Sequence, residues 1–121
     1  MRPGLRPLIW LGGSKKDLKS LPAEVQDVFG YALYLAQAGD RHPDARPMKG
    51  FQGAGVLEIV DSFAGNAYRA VYTVRFADAV YVLHAFQKKS KSGIATPKED
   101  VELIKRRLKD AAALQRKEPS K

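Results

Sequence analysis

The chain reads as an α+β layer in which a curved, mainly antiparallel sheet carries helices, in the order β-α-α-β-β-β-α. Three observations lead to that class. Three strand-like segments, Val56 to Phe63, Ala67 to Phe76 and Ala79 to Gln87, follow one another with Gly65-Asn66 and Ala77-Asp78 marking the short connections, the pattern of an antiparallel meander. Apolar stripes at three- and four-residue spacing lie before and after the meander. The 121 residues, 45% hydrophobic and 28% charged, have room for one folded core. Residues 1–117 are accordingly expected to form a single domain, with 118–121 a short tail.

Each element has its own signal. Leu8-Ile9-Trp10-Leu11 is an apolar run closed by Gly12-Gly13, a strand ending in a turn. Ser14 is placed to cap a short helical turn through Leu18. Pro22 opens a longer helix, because its fixed φ and missing N–H suit a first turn; Val25, Val28, Phe29, Ala32, Leu35 and Ala36 make its buried stripe, and Gly39 ends it. Residues 40–55, rich in Pro, Gly and charge, predict a long surface loop. In the middle strand Tyr68, Ala70, Tyr72, Val74 and Phe76 share one face, expected to be buried, and Arg69, Val71, Thr73 and Arg75 share the other, which is expected to present the cations. Val80-Tyr81-Val82-Leu83 is apolar on both faces, as in a strand covered on both sides. After Pro97, Val101, Ile104, Leu108 and Ala111 or Ala112 form a second helical stripe, with Lys105, Arg106, Arg107 and Lys109 mostly off it.

Charge narrows the function. Lys and Arg number 21 against 13 Asp and Glu, a net of +8, so an anionic partner is the natural expectation. From Gln87 onward eleven basic residues face five acidic ones, so most of the excess sits in the last third. There is no Cys and there are only two His, which excludes disulfides, thiolate nucleophiles and zinc knuckles. No metal site and no cofactor are expected. No stretch is long and apolar enough for a membrane span, and the first ten residues are too short and Pro-broken for a signal peptide, so a cytoplasmic protein without membrane partners is expected.

The densest chemical constellation is His84-Ala85-Phe86-Gln87-Lys88-Lys89-Ser90-Lys91. Alternation puts His84, Phe86 and Lys88 on one strand face: an imidazole, an aromatic ring and an ammonium in line. Such a set suits RNA, with stacking for a splayed base, cations for phosphate, and an imidazole that moves protons near neutrality. From the residues alone His84 reads either as a proton-transfer group or as a half-buried hydrogen-bonding residue, and Phe86 either as platform or as core. Arg69, in mid-strand, indicates an open face or a bound anion. Glu58 and Asp61, three apart in a strand, fall on opposite faces and do not form an acid–base pair; Ser90, Ser92 and Thr96 lack a nearby base; His42, beside Pro43, has no evident task.

Four segments carry a family resemblance: Gly55-Val56-Leu57-Glu58-Ile59, Gly65-Asn66-Ala67-Tyr68-Arg69-Ala70-Val71-Tyr72, Tyr81-Val82-Leu83-His84-Ala85-Phe86-Gln87-Lys88-Lys89-Ser90 and Gly93-Ile94-Ala95-Thr96-Pro97-Lys98-Glu99-Asp100. With the basic helix that follows, they resemble the phage-derived HigB-like branch of the RelE/ParE toxin superfamily, over about residues 8 to 112. The resemblance implies a helical hairpin packed on the curved sheet and the toxin of a type II toxin–antitoxin pair. Its implied activity is ribosome-dependent cleavage of mRNA without metal, with Arg69, His84, Lys88 and Lys89 as catalytic positions. Arg75, Phe86, Lys91, Lys98 and Arg106 are the expected RNA contacts. Val60 stands where wider members often carry an Arg, a loss for which Arg75 is placed to compensate. Implied partners are the ribosome, mRNA and a small helix-turn-helix antitoxin. The superfamily also holds non-catalytic gyrase-poisoning members, so that activity, or a phage-derived binding module without catalysis, is the alternative.

Overall fold

A computed structural model describes residues 4–51, 53–88 and 96–117; the expected tail at 118–121 lies outside them. The elements are β1 (Leu8–Trp10), α1 (Ser14–Lys19), α2 (Ala23–Gln37), β2 (Arg46–Pro47), β3 (Val56–Phe63), β4 (Asn66–Thr73), β5 (Val80–Lys88) and α3 (Lys98–Lys117). They build one mixed sheet in the order β1-β5-β4-β3-β2, antiparallel except where β1 runs parallel to β5. The α+β class expected from the sequence is the class observed, and the layout fits the RelE/ParE-like fold.

The sheet is covered on both faces, as the unbroken apolar run of β5 requires. On one side Val25, Phe29, Ala32, Leu33 and Ala36 of α2 meet Leu57, Ile59, Ala70, Tyr72, Val80 and Val82. On the other side Ile104 and Ala111 of α3 meet Val71, Tyr81 and Leu83. The α3 stripe is narrow, and Ile104 at 0% exposure is its deepest anchor; full burial of such a side chain contributes roughly 1.5–3 kcal/mol. Arg6 ties the layers at one end by donating to the carbonyls of Ala36 and Phe76, both at 2.9 Å.

Several local expectations change. Ser14 does not cap α1; it is the first helical residue, and its buried Oγ donates to the Val82 carbonyl at 3.2 Å. The connection from 40 to 55 is more than a surface loop, because it contributes β2 and buries Ala45, Met48 and Phe51. The strand containing Arg69 ends at Thr73, whose Oγ1 bonds the Gly55 carbonyl and accepts from the Arg75 N–H. Arg75 therefore lies beyond the sheet, exposed, and does not share the strand face with Arg69.

The β3–β4 hairpin turns on Ala64-Gly65, one residue earlier than expected: Phe63 pairs with Asn66, and both turn residues have positive φ, 53° and 81°. Two positive φ values match the primed turns that suit strand twist, where Asn-Gly is the favoured sequence and Ala is strained. Ala64→Asn is expected to raise stability by about 0.5–1 kcal/mol in urea unfolding; a loss would show that the hairpin turns elsewhere.

Tyr72 gives a second check. It is fully buried, its hydroxyl has no hydrogen-bond partner among the described residues, and burial pushes its phenol from 10.0 up to about 12, with Arg41 pulling weakly the other way. The unfolded phenol ionises near pH 10 while the folded one keeps its proton. The associated stability is therefore present below pH 10 and lost between about pH 10 and 12, on the order of 2–3 kcal/mol. Tyr72→Phe is expected to remove that alkaline loss relative to the parent while costing little at neutral pH, where no hydrogen bond is broken. Identical alkaline melts for the two proteins would contradict the burial of this phenol.

Candidate functional site

The site is built where the second half of β5, the middle of β4 and the first turn of α3 meet. Strict alternation along β5 would put His84 on the same face as Val80 and Val82, under α2. The strand avoids this by one extra residue: Tyr72 pairs with Val82 and Val71 with His84, leaving Leu83 unpaired on β4 in a β-bulge. The ladder then resumes with Phe86 opposite Arg69 and Lys88 opposite Ala67. His84, Phe86 and Lys88 thus face α3 together with Arg69, a registry imposed by the bulge.

The side chains are paired and largely covered. Arg69, 6% exposed, donates from Nη1 to Glu58 Oε1 at 2.6 Å and to Thr96 Oγ1 at 2.9 Å. His84, also 6% exposed, has Nε2 at 2.8 Å from Asp100 Oδ1, and its ring stacks on Phe86 with centroids 4.4 Å apart and planes 19° apart. Because an ionised carboxylate only accepts, this contact places a proton on Nε2. Nδ1 is buried without a partner among the described residues. The Lys88 ammonium is held below the ordinary lysine value, first by loss of surrounding water, then by the Arg69 charge, with Glu58 acting the other way.

The expected open cationic face is therefore closed in this structure. Glu58 and Thr96 occupy Arg69 Nη1 and Asp100 occupies His84 Nε2, none of the three having been read as a site residue from sequence. Phe86 is half-buried against His84 and is not a free platform. Lys98 and Arg106 are exposed on α3, at its first residue and farther along it, and Arg75 is displaced beyond the strand. Lys89 and Lys91 lie outside the described residues. Among the described residues no three His, Asp or Glu side chains gather as a metal ion would need, and no helix is long and apolar enough to cross a membrane.

The bulge has its own support. The Leu83 carbonyl accepts from Arg107 Nη1 at 2.8 Å, and the preceding Val82 carbonyl accepts from the Leu11 N–H at 3.0 Å. The Arg107 guanidinium reaches the strand across Gly12: a Cβ added there would sit 2.8 Å from Nη2, and Gly12 has φ +53°. Gly12 is thus required twice, for its backbone and for the space it leaves to Arg107.

A five-stranded mixed sheet with three helices is the RelE/ParE-like α+β fold. The family described as phage derived protein Gp49-like (DUF891) matches residues 16–109, and the chain belongs to it. That family is associated with RelE-like toxins of toxin–antitoxin systems. None of the curated proteins compared matches the chain.

The Gly12–Arg107 fit is checked by a double-mutant cycle. Arg107→Ala strands the Leu83 carbonyl and is expected to cost about 1–3 kcal/mol. Gly12→Ala is expected to cost a similar amount through positive φ and the guanidinium clash. In the double variant the clash is gone, so the summed cost should fall short of additivity by about 0.5 kcal/mol or more in urea titrations. Strict additivity would mean that the guanidinium does not rest against Gly12.

Proposed function

We propose that the protein is the toxin of a HigB-like toxin–antitoxin pair and cleaves mRNA on the ribosome. The observation that carries this reading is the convergence of Arg69, His84, Phe86 and Lys88 on one sheet face beside α3, in a chain of a toxin-associated family. His84, with Nε2–H held by Asp100, offers Nδ1 as the base that takes the proton of a ribose 2′-OH. The 2′ oxygen attacks the adjacent phosphorus, the 5′ oxygen leaves and takes up a proton, and the products are a 2′,3′-cyclic phosphate and a 5′-OH end. Arg69 and Lys88 stabilise the charge that builds on the phosphate. Loss of surrounding water and, after it, the Arg69 charge hold the Lys88 pKa down, and an arriving anion offsets the repulsion between the two cations.

The burial of Arg69 and His84 sets a condition on this chemistry. A phosphate has to compete with Glu58 and Thr96 for Arg69, so substrate binding displaces Thr96, which precedes α3, while Asp100 keeps its hold on His84 Nε2, and positioning on the ribosome supplies the free energy. An isolated RNA oligonucleotide, with fewer contacts to offer, is then a poor substrate.

Lys88→Ala is the cleanest test, because Lys88 is the last residue of its strand. Ribosome-bound mRNA cleavage should fall by about 10²–10³-fold with thermal stability kept. His84→Gln should lose roughly 10²–10⁴-fold and change the shape of the pH–rate profile. Arg69→Ala leaves Glu58 buried and unpaired, a cost of about 3–5 kcal/mol, so Arg69→Lys is the variant to assay. If mRNA 5′ ends stay unchanged after induction while DNA supercoiling stops, the gyrase-poisoning alternative replaces this reading. Intact RNA, unaffected supercoiling and normal growth would leave a non-catalytic binding module.

A further inference from the structure

The outer face of α2 carries chemistry that neither the core nor the proposed reaction uses. Val25, Phe29, Ala32, Leu33 and Ala36 turn inward, which leaves Glu24, Asp27, Tyr31 and Tyr34 on one exposed stripe at spacings of three and four residues. Tyr31 is 55% exposed and Tyr34 38%. The His42 ring meets Tyr31 edge-on, with centroids 5.8 Å apart, and its Nδ1 accepts from the Asp44 N–H at 3.0 Å, so a residue without an evident task in the sequence buttresses this face. We propose that the face docks a Lys/Arg-rich helical segment of a partner protein, about three turns long, whose cations lie over the Tyr31 and Tyr34 rings and meet the carboxylates of Asp27 and Glu24.

Charge, ring chemistry and one glycine select that partner. None of the chain's 21 Lys and Arg falls in α2, although the net charge is +8; in the connection that follows, Arg41 and Arg46 are balanced by Asp40 and Asp44. The stripe therefore repels phosphate and attracts cations, on the sheet face opposite to α3. Glu24 is accounted for by the helix dipole, being in the first turn, but Asp27 lies a turn farther on, where that effect has faded. Exposed Tyr rings beside a carboxylate suit Arg and Lys, which the ring quadrupole and the acid attract together. Gly30 sits inside the helix, exposed, between Asp27 and Tyr34 on the same face, and a Cβ there would meet nothing within 4 Å. Gly weakens a helix relative to Ala, and no described residue fills the space, so the notch is room for a partner's backbone to come close. From Glu24 to Tyr34 the stripe rises roughly 15 Å at about 1.5 Å per residue, which sets the length of the docked helix.

The proposal does not rest on the nuclease reading, because its readout is binding to α2. The probe is a fluorescein-labelled, Ala-based synthetic helix of about 15 residues with Arg at i, i+3, i+7 and i+10, titrated into the full chain. An Arg→Gln version and a single-stranded RNA oligomer are run beside it. The Arg helix should bind with a sub-millimolar Kd, since each exposed ion pair or ring contact adds little alone. It should shift the amide resonances of Asp27, Gly30, Tyr31 and Tyr34 and weaken as salt rises. The Arg→Gln helix, and the Arg helix on Asp27→Asn/Tyr31→Ala, should each bind about tenfold more weakly.

Gly30→Leu is the deciding variant. Leu is the better helix former, so the melting temperature should rise, while the filled notch should weaken the Arg helix about tenfold. A glycine that is merely tolerated would gain stability and keep binding, which would overturn the proposal. Equal binding of the Arg→Gln version, RNA shifting the same α2 resonances, or peptide-induced shifts confined to other elements would overturn it as well. Sedimentation of the chain alone supplies the remaining arm. A second copy offers Lys105, Arg106 and Lys109 of α3 in a head-to-tail contact that does not pair like with like, and self-association abolished by Asp27→Asn would assign the face to that copy and overturn the docking of a separate partner.

Discussion

The arrangement of the site depends on one extra residue in β5. A strand with period two can serve the α2 core with Val80 and Val82, or the α3 face with His84, Phe86 and Lys88, but an unbroken alternation cannot do both. Inserting Leu83 between Val82 and His84 changes the parity of the strand at that point. A bulge leaves backbone groups without ladder partners, and a carbonyl stranded in a covered sheet costs about 1–3 kcal/mol. Arg107 meets that demand from α3, through the gap left by Gly12. The helix that closes the site is therefore also the helix that holds the strand register in place, and sheet geometry and helix docking are coupled through a single guanidinium.

The polar groups under that helix follow the same logic. Arg69 in an apolar layer would be prohibitive alone, and with Glu58 at 2.6 Å the two charges offset each other's desolvation. Thr96, two residues before α3, and Asp100, in its first turn, add hydrogen bonds to Arg69 and His84. Apolar anchoring of α3 is concentrated farther along, at Ile104 and Ala111. Its entry at Thr96 is held by a polar contact that an incoming anion can replace, and its middle by burial that an anion cannot.

What the sequence made legible was whatever repeats. The apolar stripe from Val25 to Ala36, the alternation of Tyr68, Ala70 and Tyr72, and the stripe from Val101 to Ala111 are periodic over several residues, and the elements built on them are present with small shifts of boundary. The site residues His84, Phe86 and Lys88 were visible as a cluster in one strand. Their partners were not, because the Glu58–Arg69 contact depends on cross-strand register and the Asp100–His84 contact on how α3 docks; neither follows from spacing along the chain. Asp100 looked like an ordinary acid in a first helical turn, favourable there for the helix dipole alone. No Gly or Pro marks the bulge at Leu83, and Ala64 gave no sign of a positive φ. Arg107 read as one more cation in a basic helix, and only the missing Cβ of Gly12 hints at where it goes.

The same helix also separates two uses of charge. Toward the sheet it contributes Asp100 and Arg107, spent on His84 and the Leu83 carbonyl. Toward solvent it shows Lys98, Lys105, Arg106 and Lys109, of which only Lys105 has an acidic neighbour within 4 Å, Glu102 at 3.9 Å, among the described residues. Solvent-facing cations attract polyanions over about a Debye length and lose that attraction as salt rises, whereas the covered Arg69–Glu58 pair is screened far less. Long-range attraction of anions and the hydrogen bonding of the sheet's polar groups thereby fall to different residues of one helix. Neutralising the outer face would weaken that long-range attraction while leaving the Asp100–His84 and Arg107–Leu83 contacts in place.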